Sequence, residues 1–463
     1  MTFYNVRSTT KLYLLVGLLA LLVGAGCSGN GPEAKAPETE PFETPPDPRL
    51  STLEAPIALG MDQLEDLINR KVKGAIFTDK QLGKSKGLQL DLEKAGDIEL
   101  SPTDDHMNWK VPLLIRVKGK RKESEKVQFQ MVLHLASLLD LNTDWQLVTT
   151  TRLKSITWIK RPIVDFELFE LDLTGFVENY FRNNQKELLG QIDQAILQNV
   201  NLKPTIEKVW NELQKPIRIN KSYEEVWLHI RPEQIFQGPV AFYSDQLLIR
   251  ARVTAWLKTE VGTPKGQDAL VALPALMKGK TASRDFDLYL NSWWPYQRMN
   301  ELLKDSLMGK TLEVEGHELK VKAMELSGSG QRLVLKLTTE GDVDGTLYLS
   351  GMPVFEPESA LLRLQSVEFD VNTEDVFLSV ADWLFHDSFK ASLEKKLAFP
   401  IGTSIDQLPE LIQGALSQGK LGERVNVSID EMEVAPMALV VGEKGLHTQI
   451  RGTGQTGILM RKL

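Results

Sequence analysis

Sulfur chemistry is almost absent from this chain: Cys27 is the only cysteine in 463 residues. A single thiol excludes an intramolecular disulfide framework and any zinc cluster built on several thiolates. Histidine is nearly as scarce. The six, at 106, 134, 229, 317, 386 and 447, include no H-E-x-x-H pair that would set two ligands on one helix face. There is no P-loop and no G-x-S-x-G nucleophile elbow. His386-Asp387-Ser388 holds triad residue types in immediate succession, but helical neighbours point about 100° apart and cannot relay a proton. Asp104-Asp105-His106 reads as a turn, where Asp is favoured for its local hydrogen bonds. Gly452, Gly454 and Gly457 fit G-x-G-x-x-G, yet too little chain follows for the helix that a dinucleotide site needs. The sequence therefore predicts no catalytic residues, no metal and no cofactor. Positive charge is also short: 54 Lys and Arg against 62 Asp and Glu leave a net charge of −8. Without a basic footprint to displace counterions, nucleic acid is not an expected partner.

What is present begins at the front. Arg7 and Lys11 precede the uncharged run Leu12–Val23, too short for a typical spanning helix, and small residues lead into Cys27. Residues 1–26 read as a signal peptide. Gly24-Ala25-Gly26-Cys27 resembles a bacterial lipobox, although leucine is commonest where Gly24 stands. The resemblance implies lipidation of Cys27, and a diacylated cysteine holds a protein on a membrane. Losing residues 1–26 removes Arg7 and Lys11 and no acid, which takes the net charge to −10. Residues 27–50, rich in Pro and Glu, are expected to be an extended, solvated tether. The expected address is the bacterial cell envelope, lipid-anchored; Ser28 after the cysteine favours the outer membrane, facing the periplasm.

The body is patterned in two rounds. Asp172–Val200 carries Phe176, Val177, Tyr180, Phe181, Leu188, Leu189, Ile192 and Ile196 at helical spacing, which predicts one long helix. Strands of period two flank it, clearest at Phe129, Met131, Leu133 and Leu135. A second long helix is expected over Thr373–Leu397. Short helices match at an offset of 235 residues (Leu64 with Met299, Ile68 with Leu303, Gly74 with Gly309). The long ones match at 200, and later strands at 199 (Leu228 with Val427). Such a repeat predicts an α+β fold of two similar modules, 54–262 and 283–463, each a long amphipathic helix packed in a curved antiparallel β-sheet.

That order of elements resembles the tubular lipid-binding superfamily, typified by the bactericidal/permeability-increasing proteins. The whole chain, through strings such as Trp227–Pro232, Gly351–Pro353 and Ala381–Phe385, is similar to an uncharacterised bacterial lipoprotein family of the domain-of-unknown-function kind. The resemblance implies a non-enzymatic protein that binds lipid or another apolar ligand between helix and sheet. The expected lining is Phe176, Tyr180, Phe181, Leu188 and Ile192, then Phe377, Val380, Leu384 and Phe389. Each of these is also what an ordinary packed core requires. A scaffold that binds envelope proteins or glycans is the alternative.

Overall fold

The computed structural model describes residues 33–79, 88–119, 127–166, 169–220, 225–243, 245–262, 264, 266, 269–280, 283–314, 316–356, 358–359, 361–378, 381–400 and 407–461. The signal peptide, Cys27 and Val380 lie outside them.

Long strands dominate. A first six-stranded sheet is built from β2 (Ala75–Asp79), β3 (Leu88–Lys94), β4 (Glu99–Pro102), β5 (Met107–Gly119), β6 (Val127–Leu141) and β7 (Leu147–Lys160). A second comprises β15 (Thr311–Val314), β16 (His317–Ser329), β17 (Arg332–Gly341), β18 (Gly345–Glu356), β19 (Leu361–Phe369) and β20 (Ala398–Pro400). Between them runs a shared central sheet. Its main path is β10 (Ile217–Asn220), β11 (Val226–Phe242), β12 (Gln246–Val261), β1 (Ser51–Gly60), β14 (Asp285–Pro295), β22 (Gly445–Met460) and β21 (Val425–Val441).

The central pairings are reciprocal. β1 pairs antiparallel with β12 and parallel with β22, while β14 pairs antiparallel with β22 and parallel with β12. β11 joins β12 as β21 joins β22, both antiparallel and both interrupted by two bulges. Exchanging the halves of the chain therefore reproduces the hydrogen-bond ladder.

This corrects the expected fold. The chain is mostly β, its helices are short, and the halves are interlaced instead of forming two helix-in-sheet modules. The first expected long helix is two pieces, α2 (Thr174–Asn183) and α3 (Gln185–Asn199). The break is at Asn184, whose side-chain amide donates to Tyr180 O at 2.8 Å. Asn183 and Asn184 are weak helix formers because their side chains compete for backbone partners. The second becomes α6 (Val371–Phe377), a 3₁₀ turn at Asp382–Phe385 and α7 (Asp387–Lys396). Apolar periodicity survives such breaks, since the same stripe still faces the core. The short helices do form: α1 (Met61–Lys71) and α5 (Tyr296–Leu307), followed by Gly74 and Gly309, whose φ values of 75° and 77° suit glycine.

The Pro/Glu-rich stretch also departs from expectation. From residue 33 it lies along the second half instead of standing free in solvent. Ala34 is buried and its N–H donates to Thr346 O, Phe42 packs on the second core, and Gln449 reaches Asp47 O.

Candidate functional site

Strand alternation sends one set of side chains from each central strand to the same face. Leu53 and Ile57 of β1, Leu228 and Ile230 of β11, and Val253, Ala255 and Leu257 of β12 meet Phe286 and Leu288 of β14 there. Val425, Val427 and Ile429 of β21, and Ile458 and Met460 of β22, complete that face. Two short helices cover it. α4 (Lys203–Leu213) presents Ile206, Val209, Trp210 and Leu213, at the i, i+3, i+4, i+7 spacing of one stripe. α8 (Leu408–Leu416) presents Ile412 and Leu416. Between sheet and helices lies a cavity of about 250 Å³.

The polar groups of its wall are already bonded. Ser51 Oγ accepts from Tyr289 N–H at 2.9 Å, and Thr456 Oγ1 donates to Ser428 O at 2.7 Å. The indole N–H of Trp145 donates to Pro274 O at 3.0 Å, and that of Trp210 to Val271 O at 2.8 Å. The segment carrying Val271 and Pro274 thus takes up the one polar group of each indole, and both side chains line the cavity. A wall with its donors and acceptors engaged offers nothing to a polar guest, whose own groups would be stranded at a cost of about 1–3 kcal/mol each. Larger concavities of about 450 and 480 Å³ have mixed polar walls, one with His229, Arg231 and Lys258, the other with Glu54, Asp285 and Arg451.

The residues expected to line a ligand site sit elsewhere. Phe181, Leu188 and Ile192 border a gap of about 10 Å³ against Phe77, Leu113 and Leu133, room for about one water. Tyr180 is buried, with its hydroxyl donating to Asp79 Oδ2 at 2.6 Å; Phe176 is 60 % exposed. Phe377, Leu384 and Phe389 are fully buried in the second core, where Phe389 meets Trp383 edge-to-face at 5.0 Å and Trp383 stacks on His317 at 3.7 Å. The structure brings none of these side chains to the central cavity. Sequence reasoning weighted the longest stripes. The signal for the cavity was the weaker one, two short apolar helices recurring after matched positions in each half.

The G-x-G-x-x-G string lies within β22, where a Cβ on Gly454 would approach Phe286 Cζ to 2.7 Å. Close packing, not phosphate, accounts for that glycine. The Asp105 carboxylate bonds the His106 ring across its turn, and among the described residues no group of three or more acids and histidines converges on one point.

Comparison with known proteins adds the following. No curated protein matches the chain. Among solved structures, a lipopolysaccharide binding protein aligns over 90 % of this chain and 100 % of its own, at 9 % identity and a TM-score of 0.27. P47 of Clostridium botulinum E1 aligns over 89 % of this chain and 99 % of its own, at 13 % identity and a TM-score of 0.20. A family model described as "Domain of unknown function (DUF4403)" matches residues 49–459, nearly the whole body of the protein, and the chain belongs to that family.

Proposed function

We propose that this is a non-enzymatic, membrane-anchored envelope lipoprotein that holds an apolar ligand of the lipid class in the central cavity. The observation that carries the reading is the cavity wall: about 250 Å³ enclosed by apolar side chains, with its polar groups satisfied internally. At about 24 cal/mol per Å³, leaving such a space empty costs at most about 6 kcal/mol. That is comparable with the whole stability of a typical domain, roughly 5–15 kcal/mol. An occupant relieves the cost. An apolar cavity of about 150 Å³ takes one benzene, which scales to about ten carbons here. Each buried methylene gains about 0.8 kcal/mol, so a chain of that length recovers more than the void loses.

The lipobox-like sequence ending at Cys27 supports the anchor. The test is organic extraction and mass spectrometry of gently purified protein, followed by uptake of a fluorescent fatty acid. We expect a co-purifying hydrocarbon and saturable uptake that Ala255→Trp abolishes by filling the space. Protein that is empty as isolated and takes up no probe ends this reading.

A further inference from the structure

Both six-stranded sheets end, away from the central sheet, in exposed apolar side chains. At the outer end of the second sheet stand Met308, Val371 and Leu378, 51, 67 and 58 % exposed. They belong to one end. Met308 precedes Gly309, which bonds Val321 near the start of β16, and Val371 follows Asp370, which bonds Tyr348 near the start of β18. The outer end of the first sheet carries Ile159, Ile163 and Phe176 in a matching place. What separates the two ends is residues 33–50. That segment pairs with Thr346 at the outer end of the second sheet and runs inward past Ser329 and Gly330, where Glu40 N–H donates to Ser329 Oγ at 2.8 Å. It then passes Gln449 and enters β1. It is a strap laid along the second half from tip to centre.

We infer that the outer end of the second half, at Met308, Val371 and Leu378, is the membrane-facing surface of the molecule, and that its partner is the lipid bilayer. This rests on the lipidation of Cys27 proposed above. Cys27 and Glu33 are six residue steps apart, a reach of at most about 22 Å when fully extended. With the strap pinned at Ala34, the anchor holds this end, not the other, within that distance of the bilayer. Three large apolar side chains left in water at the end that the anchor holds near the bilayer gain by burial in its apolar phase. Charge does not drive the contact. Lys320 and Lys322 both pair with Glu340, and the Asp344 carboxylate also acts on Lys322. Attraction to anionic lipid is therefore not expected, and raised salt should not release the tip.

The experiment uses the full chain with its native N-terminus, purified and reconstituted into phosphatidylethanolamine–phosphatidylcholine vesicles containing a nitroxide-bearing lipid. Cys27 is blocked by its lipid, so Val371→Cys, Leu378→Cys and, at the other end, Ile159→Cys each supply one thiol for a fluorophore. We expect strong quenching at 371 and 378, none at 159, and no change with salt or added phosphatidylglycerol. Ala34→Glu, which places a charge where the strap is buried, should remove the quenching while circular dichroism stays native. The mass of the N-terminal peptide separates the two claims. A lipidated Cys27 with an unquenched tip, or with equal quenching at both ends, overturns the inference and leaves the anchor standing. An unlipidated Cys27 removes the anchor and the inference together. A tip shielded from water but not from lipid-borne quencher supports the inference; one shielded from both belongs to a protein partner and overturns it.

Discussion

Trp145 sits in the cavity wall on a backbone with φ of 66°, a left-handed conformation that costs a bulky residue about 1–3 kcal/mol. The turn around it is over-determined. Asn142 Oδ1 accepts from the N–H of Asp144 and of Gln146, and the Trp145 N–H returns to Asn142 O. That backbone sets the indole in the cavity wall with its N–H on Pro274 O. Trp145→Phe should cost about 1 kcal/mol from the lost hydrogen bond, and Trp145→Ala about 3–5 kcal/mol with loss of bound ligand; urea titration and probe uptake read both. Tyr296 makes a second residue-scale prediction. Burial raises its phenol above the usual value of about 10, and the hydroxyl donates to Gly442 O at 2.9 Å. A raised folded value means its contribution is complete below the unfolded value and is lost as pH climbs through the folded one. Tyr180 shifts the same way, through burial and then its bond to Asp79. Tyr296→Phe should lower stability by about 1 kcal/mol at neutral pH and flatten the loss above pH of about 10, as followed by denaturation across pH 8–12.

The two helices over the cavity are not equally held. α4 buries Trp210 and ties it to Val271, whereas α8 buries none of its residues, although Leu408, Leu411, Ile412, Ala415 and Leu416 are all apolar. Ile412→Asp should therefore change the thermal midpoint little yet abolish probe uptake, because its charge enters the cavity without disturbing a packed core. Trp210→Ala should cost about 3–5 kcal/mol. Equal destabilisation by the two would mean that α8 is ordinary core. Sequence spacing alone predicts short helices around Thr205–Leu213 and over Ile405–Leu416, within two and three residues of the observed starts, and the buried faces of the strands were as legible: Phe129, Met131, Leu133 and Leu135 are all buried. Local periodicity reports which side of an element is dry, and it did so even where Asn184 interrupts the helix. It does not report what lies opposite. Leu133 on β6 meets a filled core, and Val253 and Leu257 on β12 a space, with the same alternation along the chain.

At the scale of the molecule, the central sheet decides how the protein unfolds. β1 pairs with β12 over all ten of its residues, but it also lies beside β22, about four hundred positions away, and β14 likewise takes neighbours from both halves. No pattern within a window of sequence could show that interlacing, which is why two separate modules were the natural expectation. Removing either half would strip β1 or β14 of a partner and open the cavity, exposing both a strand edge and the apolar wall, the two features that invite aggregation. Residues 33–280 and 283–461 expressed separately should accordingly be insoluble or unfolded, while co-expression should restore a complex through the central sheet. In the intact chain, tryptophan reporters on either side should melt together. Trp109 lies in the first sheet and Trp383 in the second core, so single-tryptophan variants retaining one or the other can be compared directly. Coincident midpoints, both raised by bound hydrocarbon, are expected if the shared cavity couples the halves. Two separate transitions, with only one responding to ligand, would make the halves independent and the cavity a feature of one of them.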